Sequence, residues 1–262
     1  MPSDVHYELR GPERAPPLLL AGSLGTDMSM WDPQVDALAG RFRLLRYDLR
    51  GHGASPAPAG PYSMADLGSD LLALLDRLRI ERANICGLSI GAMAAMWVAA
   101  HAPERVHRLV LCCTSARLDD EARATYRERA ALVRERGLTP IADAVLSRWF
   151  TPSFAEARPQ TLERMRRILI ATSREGYAGC CEALAAMDLT PELGSITSPT
   201  LVIAGEDDPA TPPAHGRRIA ENIAGARLSL VPHAAHLANI EQAELVTALL
   251  MRFVDRNETE EA

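Results

Sequence analysis

Three clusters along the chain carry residue types that could act together on an ester carbonyl. The first is Gly87-Leu88-Ser89-Ile90-Gly91, which follows the apolar run ANIC and opens the run AMAAMWVAAH. The second, Glu206-Asp207-Asp208-Pro209, ends the run TLVIAG, and the third, His233-Ala234-Ala235-His236, ends the run RLSLVP. A serine hydroxyl is a weak nucleophile until a base removes its proton, and an imidazole does this best when an acid holds its tautomer and orientation. Serine, acid and histidine occur in that order, each where an apolar run gives way to a turn. The order and the strand-turn-helix setting of the serine are those of an acyl-transfer site.

Two of the clusters offer a choice. Asp208 is preferred to Asp207 because Pro209 biases the residue before it toward an extended conformation that can project from a loop. His236 is preferred to His233 because it directly precedes the last helical run; the rejected members are loop or capping residues. No acid follows the apolar run 106–112 directly, since Thr114 and Ser115 come first, and this omission also favours Asp208. His52, between Gly51 and Gly53, reads as a turn-stabilising residue, while His6, His101, His107 and His215 fall on exposed ends or faces. A developing oxyanion needs donors already in place. Ile90 N–H, at a helix N-terminus, is one, and Leu24 N–H, in Gly22-Ser23-Leu24-Gly25-Thr26, is the other; a plain glycine turn is the alternative for that loop. No GxGxxG after a strand, P-loop, HExxH or paired CxxC is present, so no cofactor and no metal are expected.

Positioning these loops requires a sheet. Short apolar runs bounded by Gly and Pro predict strands at 18–21, 42–47, 83–86, 106–112, 200–204 and 227–231. Patterns with three- and four-residue spacing between them predict helices at 63–78, 90–101, 213–223 and 238–253. The alternation specifies an α/β fold with a mostly parallel sheet flanked by helices. Residues 118–193 differ: they are rich in Arg and Glu and read as helices without a buried strand. They predict a helical cap inserted into a core formed by 1–117 and 194–262, the alternative being solvated helices that only pack. The terminal NETEEA reads as an acidic fray.

Composition narrows the remaining classes. The chain has 262 residues, 47% hydrophobic and 24% charged, the balance of a globular protein. Its 28 Lys and Arg against 34 Asp and Glu leave a net charge of −6, which argues against nucleic acid as a partner and requires any positive charge at a site to be local. Five cysteines in an odd set with two adjacent pairs form neither a disulfide framework nor a metal spacing, which points to a reducing cytoplasm. The first residues are too charged for a signal peptide, and no apolar run approaches the roughly 18 residues of a membrane span, so no membrane association is expected.

The loop Asp48-Leu49-Arg50-Gly51-His52-Gly53-Ala54-Ser55 and the serine turn resemble those of the α/β-hydrolase fold. More narrowly, the chain resembles the 3-oxoadipate enol-lactonases of the β-ketoadipate route for aromatic breakdown. The similar segments are Ser23-Leu24-Gly25-Thr26-Asp27 with Met30-Trp31-Asp32-Pro33-Gln34, Arg148-Trp149-Phe150-Thr151-Pro152-Ser153-Phe154, and Gly176-Tyr177-Ala178-Gly179-Cys180-Cys181. Ala204 to Pro213 and His236-Leu237-Ala238-Asn239-Ile240-Glu241 are similar too. One departure is Ile90-Gly91-Ala92, where relatives often have Met and paired glycines. The resemblance implies Ser89, Asp208 and His236 as a catalytic triad, and Ser23, Arg148 and Trp149 as substrate-binding residues around a small anionic lactone. A general carboxylesterase or perhydrolase with the same triad, and a ligand-binding scaffold without turnover, are the competing expectations.

Overall fold

The computed structural model describes residues 4–255. The NETEEA segment lies outside the described residues. Among the described residues, seven strands form one sheet in the order β1-β3-β2-β4-β5-β6-β7. They are β1 (Tyr7–Arg10), β2 (Pro17–Ala21), β3 (Arg43–Tyr47), β4 (Ala83–Leu88), β5 (Val106–Cys112), β6 (Thr200–Gly205) and β7 (Arg227–Val231). All pairs are parallel except β1 with β3. The predicted strands are all present within two residues at their ends. Strand β1 is not among them, because YELR is an edge strand with a half-exposed, charged pattern that offers no apolar run.

The helices in chain order are α1 (Asp32–Ala39), α2 (Met64–Arg77), α3 (Ile90–His101), α4 (Asp120–Arg136), α5 (Ala142–Trp149), α6 (Pro152–Ala157), α7 (Pro159–Ala171), α8 (Arg174–Ala186), α9 (Pro213–Asn222), α10 (Ala238–Glu241) and α11 (Ala243–Val254). Helix α3 is apolar nearly all round and correspondingly buried, packed on β4, β5 and α2. Helix α2 starts in a capping box, in which the Ser63 hydroxyl accepts the Asp66 N–H and the Asp66 carboxylate accepts the Ser63 N–H. The helix expected over 238–253 is two helices that meet at Gln242. The short first piece lets the Glu241 carboxylate turn back onto the loop before it and accept the N–H groups of Ala235 (2.9 Å) and Thr151 (3.0 Å).

Between β5 and β6 the chain runs through α4 to α8 with no strand. The two ends of this segment are clasped together: Leu189 N–H donates to Ala116 O at 2.8 Å, and Arg117 bridges Asp188. Helix α4 packs along α8, burying only Ala130 and Val133 fully, so most of its polar surface is left for solvent or for whatever lies beneath.

Candidate active site

The carboxyl ends of β2, β4, β6 and β7 point to one side of the sheet, and their following loops converge there. Ser89 follows β4 with φ 56° and ψ −119°, a conformation that strains any residue with a side chain. The surrounding backbone holds it there. Ser89 N–H donates to Cys112 O at 2.9 Å, and Ser89 O accepts Met93 N–H at 3.0 Å and the Thr114 hydroxyl at 2.9 Å. The flanking glycines are required by contact: a Cβ on Gly87 would lie 2.4 Å from Ala92 N, and one on Gly91 would lie 2.4 Å from Gly22 O. The second contact seats the start of α3 directly against the loop after β2.

That loop is itself tightly bonded. Ser23 O accepts the Thr26 hydroxyl at 2.8 Å and Thr26 N–H at 3.2 Å, while Gly25 N–H donates to His52 Nε2 at 2.9 Å. Among the described residues, these bonds leave the Leu24 N–H without a protein acceptor. Ile90 N–H lies in the first turn of α3, where backbone donors have no partner within the helix.

Asp208 and His236 meet at the ends of β6 and β7, with His236 Nδ1 2.8 Å from Asp208 Oδ2. The other oxygen, Oδ1, accepts the N–H groups of Ala210 (2.7 Å) and Thr211 (3.0 Å). The Thr211 hydroxyl donates to Oδ2 at 2.7 Å. Burial alone would raise the Asp208 pKa, but the neighbouring His236 and the hydrogen bonds from His236 and Thr211 outweigh it and hold the carboxyl at about 2. Both side chains are buried, whereas Asp207 and His233 are exposed and border a separate surface groove. His215 and His107 are not on exposed faces as the sequence suggested; both are half-buried. Helix α9 brings its first turn against the loop after β5, where His215 Nδ1 lies 2.7 Å from Ser115 Oγ.

Ser89 and His236 line one small cavity of about 30 Å³ together with Ser23, Leu24, Arg148 and Trp149. Trp149 also ties the helical segment to the histidine loop, its carbonyl accepting Leu237 N–H at 2.9 Å. The sequence reading missed five further lining residues: Tyr126 and Arg129 from α4, Val145 from α5, Tyr177 from α8, and Ala210 after β6. Arg129 interacts electrostatically with Tyr177 and lies 5.1 Å from the centroid of the Tyr126 ring. Burial pushes the Tyr177 phenol well above its usual range, so it stays neutral. The available signal was the three-residue spacing of Tyr126 and Arg129, which places both on one helix face. Two arginines are thus supplied to a pocket in a protein whose overall charge is negative.

The residues at 16–243 match the family model of the alpha/beta hydrolase fold. The chain belongs to the α/β-hydrolase family, a conclusion the sheet order, the strained serine turn and the strand-end placement of Asp208 and His236 support independently. It is 43% identical to the 3-oxoadipate enol-lactonase 2 of Acinetobacter baylyi, an alignment covering 95% of this chain and 94% of that protein. Among solved structures, the enol-lactonase from Burkholderia xenovorans LB400 superposes with a TM-score of 0.93 at 45% identity, covering 96% of each chain. A thermophilic esterase from Thermogutta terrifontis is similar at 31% identity and a TM-score of 0.91, covering 96% of this chain and 93% of its own.

Proposed function

We propose that the protein hydrolyses 3-oxoadipate enol-lactone to 3-oxoadipate through an acyl-enzyme. Ser89 Oγ attacks the lactone carbonyl while His236 takes its proton through Nε2, the ring nitrogen left when Nδ1 is held by Asp208. The N–H groups of Leu24 and Ile90 receive the oxyanion. Collapse of the tetrahedral intermediate breaks the ring C–O bond and expels the enol oxygen, which takes its proton from His236. An enol leaves more easily than an alkoxide. Because it stays tethered to the acyl group it can re-attack at high effective concentration, so ketonisation commits the reaction before water releases the acid.

The observation that carries this reading is the meeting of Ser89 and His236 with Arg129 and Arg148 in one cavity. A planar guanidinium pairs with a carboxylate in bidentate fashion, and an anionic lactone is the substrate that would need such a partner. In this reading residues 118–193 act as the cap, carrying Arg129, Arg148, Trp149 and Tyr177 over the core. The five buried thiols suit a reducing cytoplasm, where we place the enzyme.

The direct test is the ultraviolet absorbance of the enol-lactone on addition of purified protein. Rapid loss is expected. The likeness to the Thermogutta terrifontis esterase favours a second reading, a general carboxylesterase. It would prevail if simple aryl esters were turned over with a higher kcat/KM than the lactone.

A further inference from the structure

Outside the triad, His52 carries chemistry that the reaction has not used. Its side chain is fully buried, in the loop between β3 and α2, and is not among the residues that line the substrate cavity. Both ring nitrogens have partners. Nδ1 lies 3.0 Å from Arg50 O, and a carbonyl can only accept, so Nδ1 carries the proton. Nε2 then presents a lone pair, which accepts Gly25 N–H at 2.9 Å. The ring is locked in one neutral tautomer by two backbone groups.

The peptide that His52 grips is the one directly after Leu24. Gly25 has φ 81°, a conformation that its N–H bond to His52 helps to hold. On the other side, Ser23 O is held by the Thr26 hydroxyl and N–H. In a trans peptide the N–H points opposite to the C=O, so pinning Ser23 O aims the Leu24 N–H away from Thr26. Thr26 therefore fixes the peptide before Leu24 and His52 fixes the one after it. We infer that His52 is a positioning residue for the oxyanion hole, holding the Leu24 N–H in place by accepting the Gly25 N–H through Nε2.

A protonated His52 would set Nε2–H against Gly25 N–H, two donors face to face. Burial keeps the ring neutral by lowering its pKa, against the Arg50 carbonyl and the carboxylates of Asp48 and Asp27, which favour the charged form. Asp48 is itself occupied, accepting the N–H groups of Met28 (2.7 Å) and Ala54 (2.9 Å). The inference rests on the assignment of Leu24 as an oxyanion donor, which serves any ester and does not depend on the lactone being the substrate.

The experiment compares wild type, His52→Ala and His52→Gln on whichever of the enol-lactone or an aryl acetate wild type turns over faster. Removing an oxyanion donor outright costs about 10² to 10³ in kcat. Loosening one by loss of its anchor should cost His52→Ala about 10- to 100-fold in kcat, with KM within about threefold. The affinity for an aryl trifluoromethyl ketone, which forms an oxyanion on Ser89, should fall in parallel. His52→Gln, whose side-chain carbonyl can accept the Gly25 N–H, should recover most of the loss. Folded His52→Ala with kcat within about twofold of wild type, or with only KM raised, overturns the inference, as does a folded Gln variant no better than Ala. If His52→Ala does not fold, nitrogen-15 NMR of wild type decides: His52 must show a proton on Nδ1 and none on Nε2, and the opposite tautomer or an imidazolium at neutral pH refutes it.

Discussion

The Thr211 hydroxyl donates to Asp208 Oδ2 at 2.7 Å, the same oxygen that holds His236 Nδ1 at 2.8 Å. One carboxylate oxygen thus couples the imidazole to a buried hydroxyl three residues along the chain. Asp208 has a lower pKa in the fold than in the unfolded chain, so the unfolded state binds more protons in between. The stability it contributes is complete above the ordinary carboxylate range near 4 and is lost as pH falls through about 2. Thr211→Val removes one bond that favours the carboxylate. The folded pKa should rise, so the loss of stability on acidification should be smaller and end at a higher pH, and stability at neutral pH should drop by about 1–2 kcal/mol. Thermal melts between pH 2 and 7 check this; superimposable profiles for the two proteins would falsify it.

Ser89 occupies φ 56° and ψ −119°, where only glycine is at ease. Ser89→Gly should therefore abolish turnover yet raise the melting temperature, with a gain of about 1–3 kcal/mol from relieved backbone strain. Ser89→Ala should lose kcat on the order of 10⁶-fold without that gain. The measurement is calorimetry beside a hydrolysis assay. A Gly variant less stable than the Ala variant, or an Ala variant with only a mild loss of activity, contradicts the assignment.

Arg129 and Arg148 reach the cavity from different helices, and a substrate carboxylate needs at least one of them. Arg129→Met and Arg148→Met should each lower kcat/KM for the enol-lactone by about 10- to 100-fold, the value of a charge-assisted hydrogen bond of about 1.5–3 kcal/mol. Hydrolysis of an uncharged aryl acetate should change far less. Equal losses on both substrates in both variants would show that the arginines shape the cap and do not read the substrate's charge.

Much of the candidate site was legible because its signals are local. Gly87 and Gly91 around Ser89 reflect contacts within a few residues or with the adjacent loop, and the proline after Asp208 restricts its immediate neighbour. Strands such as TLVIAG, buried along their whole length, show as apolar runs without reference to anything else. Where the pattern depends on a distant partner it fails. Strand β1 exists because β3 offers it a ladder, and His215 is half-buried because α9 docks against the loop after β5.

The amino-acid sequence by itself determined the alternation of strands and helices, the bend at Ser89 and the order of serine, acid and histidine, since each follows from short-range sterics and hydrophobic period. Tertiary structure alone decided which face of α4 looks inward, and so brought Arg129 and Tyr126 to the cavity beside Tyr177. It alone placed His52 against the loop after β2, turning a residue between two glycines into an acceptor for Gly25. Those choices depend on how layers pack across many intervening residues, where burial and hydrogen-bond satisfaction are properties of the assembled core and not of any one segment.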